Sequence, residues 1–245
     1  MANWSDPRSG VAGFGNATAA RGEAFDAGLR RYMLSVYNYM ASGVLLTGMV
    51  ALLFASSGLA YQVLAGPGIL KYIIMFAPLA FVMVLSFGIN RLSTATAQAL
   101  YWVYAAVMGL SLSSIFLVYT GTSIAQTFFA TAAAFAGLSL WGYTTKKDLS
   151  GFGTFLIMGV VGLLVASLIN LFLRSSAMDL VISFLGVLLF AGLTAYDTQK
   201  IKSIYAHVAG TDMMGKSVIM GALNLYLDFI NMFLFLLRFM GGSRD

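Results

Sequence analysis

The chain has 245 residues, of which 60% are hydrophobic and only 9% charged, against about 25% charged in an average soluble domain. That balance excludes a soluble globular enzyme, and it excludes intrinsic disorder, which needs a chain poor in apolar residues. The net charge of +5 comes from Lys and Arg scattered through short polar breaks, with no basic stripe of the kind that binds nucleic acid.

Residues 1–31 are polar, rich in Gly and Ala, and carry Arg8, Arg21, Glu23, Asp26, Arg30 and Arg31. They read as a mobile tail. They lack an apolar stretch with a cleavage site, so they are not expected to be a signal peptide. Seven apolar spans follow, at about 33–56, 72–90, 97–119, 124–143, 153–173, 180–197 and 217–237, and they make one membrane domain over 32–240 with a short tail at 241–245. At ~1.5 Å per residue nearly all can cross ~30 Å of hydrocarbon. The sixth is the shortest before Asp197 and is expected to continue as helix beyond the bilayer. Alternating β-barrel patterning is absent, so helices are what remains to satisfy the backbone in lipid. The fold class is therefore an all-α membrane protein, a seven-transmembrane helix bundle, and its lipid partner is the bilayer itself.

Orientation follows from the cations. Arg8, Arg21, Arg30, Arg31, Arg91, Lys146, Lys147, Lys200, Lys202 and Lys216 fall on the N-terminal side, and Lys71, Arg174, Arg238 and Arg244 on the other. The N-terminus is expected in the cytoplasm and the C-terminus outside. Pro78 inside the second span predicts a kink or a hinge. Pairs of small residues (Gly43 and Gly48, Ser111 and Ser114, Gly159 and Gly162, Gly186 and Gly192) predict close helix packing.

With no cysteine and one histidine, His207, thiolate and imidazole metal sites are excluded, and any metal would be a hard cation held by oxygen. Of nine acidic residues, two lie within spans: Asp197 toward the cytoplasmic end of the sixth, and Asp228 eleven residues, about 16 Å, into the seventh. A charged Asp at that depth costs about 2.5–3.5 kcal/mol on insertion scales. Asn224 and Asn231 share the Asp228 face of the helix, so this polar stripe must point into the bundle. Consecutive spans joined by a short loop tend to be neighbours, which permits the two acids to meet. At about 4 Å their charges would repel by about 4 kcal/mol at an effective dielectric near 20. One carboxyl then keeps a proton unless a cation intervenes, either Arg91 at the end of the second span or a divalent ion such as calcium. Arg91 serves equally well as an interfacial topology residue, and a buried Asp can be purely structural.

Four stretches carry a resemblance: Phe87-Gly88-Ile89-Asn90-Arg91-Leu92-Ser93; Tyr104-Ala105-Ala106-Val107-Met108-Gly109-Leu110-Ser111-Leu112-Ser113; Gly192-Leu193-Thr194-Ala195-Tyr196-Asp197-Thr198-Gln199; and Leu223-Asn224-Leu225-Tyr226-Leu227-Asp228-Phe229-Ile230-Asn231. In this order they resemble the Bax inhibitor-1, or transmembrane Bax inhibitor motif, family over about 33–240, and the chain looks like a bacterial member. The resemblance implies a bundle with its last helix central and a pH-sensitive calcium leak of the inner membrane. It implies that Asp197 and Asp228 are the hydrogen-bonded proton-sensing pair and the calcium ligands, and that Arg91 latches the closed state. Calcium and protons are then the partners, with no organic cofactor and no enzymatic activity. Some members carry an acid within the second helix; residues 72–90 hold none, so a gate built on that acid lacks its residue here.

Three rival functions fit parts of the same pattern. An aspartyl membrane protease also places two acids on neighbouring helices, but Leu225-Tyr226-Leu227 stands before Asp228 where such an enzyme has Gly-x-Gly. A membrane interaction protein that regulates a membrane protease or a stress response is the main alternative, with a membrane protein as partner. A retinal-type receptor needs a lysine deep in the last helix, and Lys216 stands only at its start.

Overall fold

The computed structural model describes residues 9–242, with side chains from Gly22 onward. Its helices are α1 (Ser9–Ser56), α2 (Leu70–Gly88), α3 (Thr94–Leu112), α4 (Ile115–Val118), α5 (Gly121–Thr144), α6 (Ser150–Leu173), α7 (Ser176–Val208) and α8 (Met213–Met240), with one π-helical turn (Tyr61–Ala65) between α1 and α2. Seven segments are long and apolar enough to cross a membrane, α3 and α4 together forming one of them.

Polar side chains set the boundaries. Ser93, Thr120 and Ser175 each accept a hydrogen bond from a backbone N–H three residues on, capping α3, α5 and α7. The third span breaks where Ser113 and Ser114 donate to the carbonyls of Leu110 and Ser111, a local alternative to the helical ladder. α6 ends at Arg174, which adopts the left-handed conformation (φ 51°), while Asn170 Oδ1 accepts from Ser175 N. α2 runs unbroken through Pro78.

α8 occupies the centre. It packs against α7, α1, α5 and α3, whereas α6 packs on α7 and α2 on α3. In its most apolar window 67% of α8 is buried, against 11% for α2 and for α6. The small residues divide accordingly. Gly43, Gly159, Gly186 and Gly192 seat Tyr101, Leu189, Phe235 and Leu156 from neighbouring helices, while Gly48 and Gly162 face open space. The tightest approach to the backbone of another helix is at Gly142 of α5, where a side chain would run into the backbone of Ala195 on α7.

One expectation is corrected. The residues read as a mobile tail over 1–31 continue α1 as helix from Ser9. Over 22–31 the cause is visible: Phe25 and Tyr32 pack their rings on Tyr205 at 5.1 and 5.3 Å, and Gly28 makes room for the Tyr205 hydroxyl. The extension of α7 past Asp197 provides this platform. Residues 1–8 and 243–245 of the two expected tails lie outside the described residues.

Candidate functional site

α7 and α8 are antiparallel neighbours joined by a short turn with Gly210 at φ 75°. Asp197 lies 11 residues before the end of α7 and Asp228 lies 15 residues after the start of α8, which sets them at similar depth. Their carboxyls come within hydrogen-bonding reach of each other. Asp228 is 4% exposed, Asp197 is half-buried, and no donor reaches Asp228 Oδ2. Two carboxyls can hydrogen-bond only when one carries a proton, so the arrangement itself calls for a shared proton or an intervening cation.

The two asparagines do not bond to the pair; they stand on either side of it. Asn224, one turn before Asp228, lines a cavity of about 150 Å³ whose other walls include Tyr32, Ile89, Lys200 and Lys216. Asn231, one turn after Asp228, lines a cavity of about 400 Å³ at the opposite end, walled by Ser114, Tyr119, Ser167 and Arg238, and its Nδ2 donates to Leu227 O. Asp228 therefore sits in a septum between two vestibules. At the far mouth Arg238 pairs with Asp179 at 3.5 Å, the one ion pair among the described residues.

Arg91 is not at the pair, a correction to its expected place. It is exposed in the turn after α2. Its neighbour Asn90 accepts from Lys216 Nζ at 3.4 Å, and Lys216 lies twelve residues, about 18 Å of helix, before Asp228. α2 rests mainly on α3, and its end meets the start of α8 at the Asn90–Lys216 contact rather than at the pair. The cation facing Asp197 is instead Lys200, one turn further along α7, where it also lies 5.8 Å from the Tyr196 ring. Sequence reasoning singled out Arg91 and passed over Lys200, because both stand at the same end of the bundle.

Hydroxyl chains brace the site. Thr47 donates to Ala105 O at 2.7 Å, which leaves Tyr226 OH as the donor to Thr47 Oγ1 at 2.7 Å; this ties α8 to α1 and α3. Thr198 donates to Thr194 O at 2.7 Å, so Ser139 donates to Thr198 at 2.9 Å and Tyr37 to Ser139 at 2.6 Å. That second chain holds α1, α5 and α7 together beside Asp197. Sequence reasoning gave none of these hydroxyls a role; the signal available was a hydroxyl within an apolar span, which is common and unspecific. Among the described residues no three His, Cys, Asp or Glu side chains cluster as a metal site.

The family described as inhibitor of apoptosis-promoting Bax1 matches residues 29–245. The chain belongs to the Bax inhibitor-1 family. It is 50% identical to a protein of Rickettsia prowazekii over 93% of this chain and 96% of that one. It is 49% identical to a protein of Caulobacter vibrioides over 90% and 92%, and 47% identical to the inner membrane protein YbhL of Escherichia coli over 89% and 94%. The family match thus takes in every span, including both acids and both vestibules.

Proposed function

We propose that this Bax inhibitor-1 family protein is a pH-sensitive calcium leak of the bacterial inner membrane, with Asp197 and Asp228 as proton sensor and transient cation ligands, and that it is not an enzyme. The observation that carries this reading is the septum: two facing carboxyls in the bundle interior, with a vestibule reaching within one turn of Asp228 from each end. A hydrogen-bonded carboxyl pair changes charge by one unit when its proton leaves, and a divalent ion can replace that proton. Each event alters the attraction between α7 and α8 across the septum, which is a local charge change coupled to helix separation. Lys200 supplies the facing cation in this structure, and Arg91 is kept as a latch that α2 would bring in only by moving. The inner-membrane placement is carried over from YbhL, and the N-terminus is assigned to the cytoplasm from the cation bias.

Vesicles holding the reconstituted chain and a calcium dye test this. Wild type should show calcium flux that changes as pH crosses neutrality. Asp197→Asn/Asp228→Asn should lose that dependence. An unchanged flux–pH curve in the double variant overturns the reading.

One observation favours the alternative, a regulator of another membrane protein. An apolar crevice of about 710 Å³ opens between α1 and α5, floored by Phe135 and Phe229 and rimmed by exposed Leu34, Leu45 and Leu140. A transmembrane helix could lie there. Co-purification with a membrane protein that survives Asp197→Asn and is lost on Ala136→Trp would support it.

A further inference from the structure

The turn between α5 and α6 is pinned to α7 by a single side chain. Gln199 Oε1 accepts from Leu149 N and Gln199 Nε2 donates to Lys147 O, both at 2.8 Å. This clamp holds Lys146 and Lys147 beside Lys200 around a cavity of about 320 Å³, with Ser150 and Ser203 also on its wall. Asp148 lines the cavity too, but it is already engaged. Hydrogen bonds from Ser150 hold its carboxyl below the usual carboxylate range, the backbone N–H of Ser150 reaching Oδ1 at 2.9 Å. Three ammonium groups against one committed carboxylate leave an excess of positive charge facing one polar concavity. The ion pair found among the described residues lies at the opposite end of the bundle, so none of the described carboxylates forms an ion pair with these lysines.

We propose that this cavity binds the phosphate of an anionic phospholipid headgroup. Basic pockets between transmembrane helices at the membrane edge are suited to that chemistry, and three ammonium groups supply charge-assisted donors to phosphate oxygens. A lipid rather than free phosphate is favoured by what lies directly below. Phe152 and Phe155, in the first turns of α6, are 62% and 66% exposed and contact each other edge to face, an apolar surface for the acyl chains attached to a headgroup seated at Ser150.

Lys200 also lines the vestibule that leads to Asn224 and is the cation facing Asp197. A bound phosphate would draw the Lys200 ammonium toward the turn and out of the vestibule, so the lipid would regulate cation access to the septum. This coupling rests on the leak reading above; the binding site does not.

The test uses the full chain, with bound lipid counted by native mass spectrometry after reconstitution with phosphatidylglycerol, phosphatidylcholine or inorganic phosphate. Wild type should retain phosphatidylglycerol over phosphatidylcholine, and millimolar phosphate should not displace it. Each lysine near an anionic headgroup contributes about fivefold, so Lys146→Gln/Lys147→Gln should weaken retention by about twenty-five-fold, and Lys146→Arg/Lys147→Arg should keep it. Retention unchanged in the Gln variant, or equal for the two lipids, overturns the site; displacement by free phosphate overturns the lipid assignment. In vesicles, phosphatidylglycerol should change the calcium flux of wild type and not of Lys200→Gln. Lipid binding without that flux response overturns the coupling and leaves the headgroup site standing.

Discussion

α8 and α2 are both apolar enough to cross a membrane, yet they are used in opposite ways. α8 is enclosed by four other helices and carries Asp228, Asn224, Asn231 and Tyr226 on buried or half-buried positions. α2 leans on α3 at the edge, buries only Pro78 and Leu85, and carries no acid. A polar side chain is tolerable in a span only where protein or water meets it, so burial inside the bundle decides which span can host titratable chemistry. The same contrast separates α7, which brings Asp197 to the pair, from α6, whose exposed side faces lipid.

That contrast can be broken most severely by volume. Gly142→Ala drives a methyl into the backbone of Ala195, which has no side chain to swing aside; thermal unfolding in detergent should show a loss of about 2–3 kcal/mol. Gly162→Ala on α6 meets open space and should leave the melting curve unchanged or slightly raised, because Ala favours helix. A smaller effect separates two tyrosines. Tyr226→Phe removes the donor to Thr47 on the central helix and should cost about 0.6–1 kcal/mol, whereas Tyr72→Phe on α2, where Tyr72 is exposed, should cost nothing measurable by the same assay.

Two cations sharpen the comparison further. Lys200→Gln should displace the midpoint of the flux–pH curve by about half a pH unit or more, since Lys200 faces Asp197. Arg91→Gln, at the exposed end of α2, should leave the midpoint in place. The reverse order of effects would mean that α2 carries Arg91 to the pair in the conducting cycle. Asp148 gives the smallest effect. Its carboxyl is held low by Ser150, so its hydrogen bond to the start of α6 persists above the ordinary carboxylate range and is lost as pH falls through its own lowered value. Amide exchange at 150–152, corrected for intrinsic rates, should rise only below the ordinary carboxylate range, and Asp148→Asn should show the faster exchange at neutral pH.

Much of the architecture was legible in the residues. Uninterrupted apolar runs located every span, because in lipid the backbone can be satisfied only by continuous helix. The asparagine–aspartate stripe on α8 marked the buried face for the same reason. What could not be read was the partner of each polar group. The Gly- and Ala-rich segment before Tyr32 looks solvated until Tyr205, 180 positions from Phe25, supplies a ring for it. Ser113 and Ser114 end α3 through bonds to their own backbone, although the apolar run continues through Val118. Lys200 and Arg91 lie at the same end of the bundle, and charge alone does not distinguish them; the packing of α2 on α3 does.

The central claim is that Asp197 and Asp228 titrate as one unit inside the bundle. Infrared difference spectroscopy on the reconstituted chain, stepping pH across neutrality, reads protonated and ionised carboxyls directly. The account expects a protonated-carboxyl band that exchanges for a carboxylate band as pH rises, is altered by calcium, and vanishes in both Asp197→Asn and Asp228→Asn. A band that persists in either variant, or the absence of any such exchange in wild type, would contradict it.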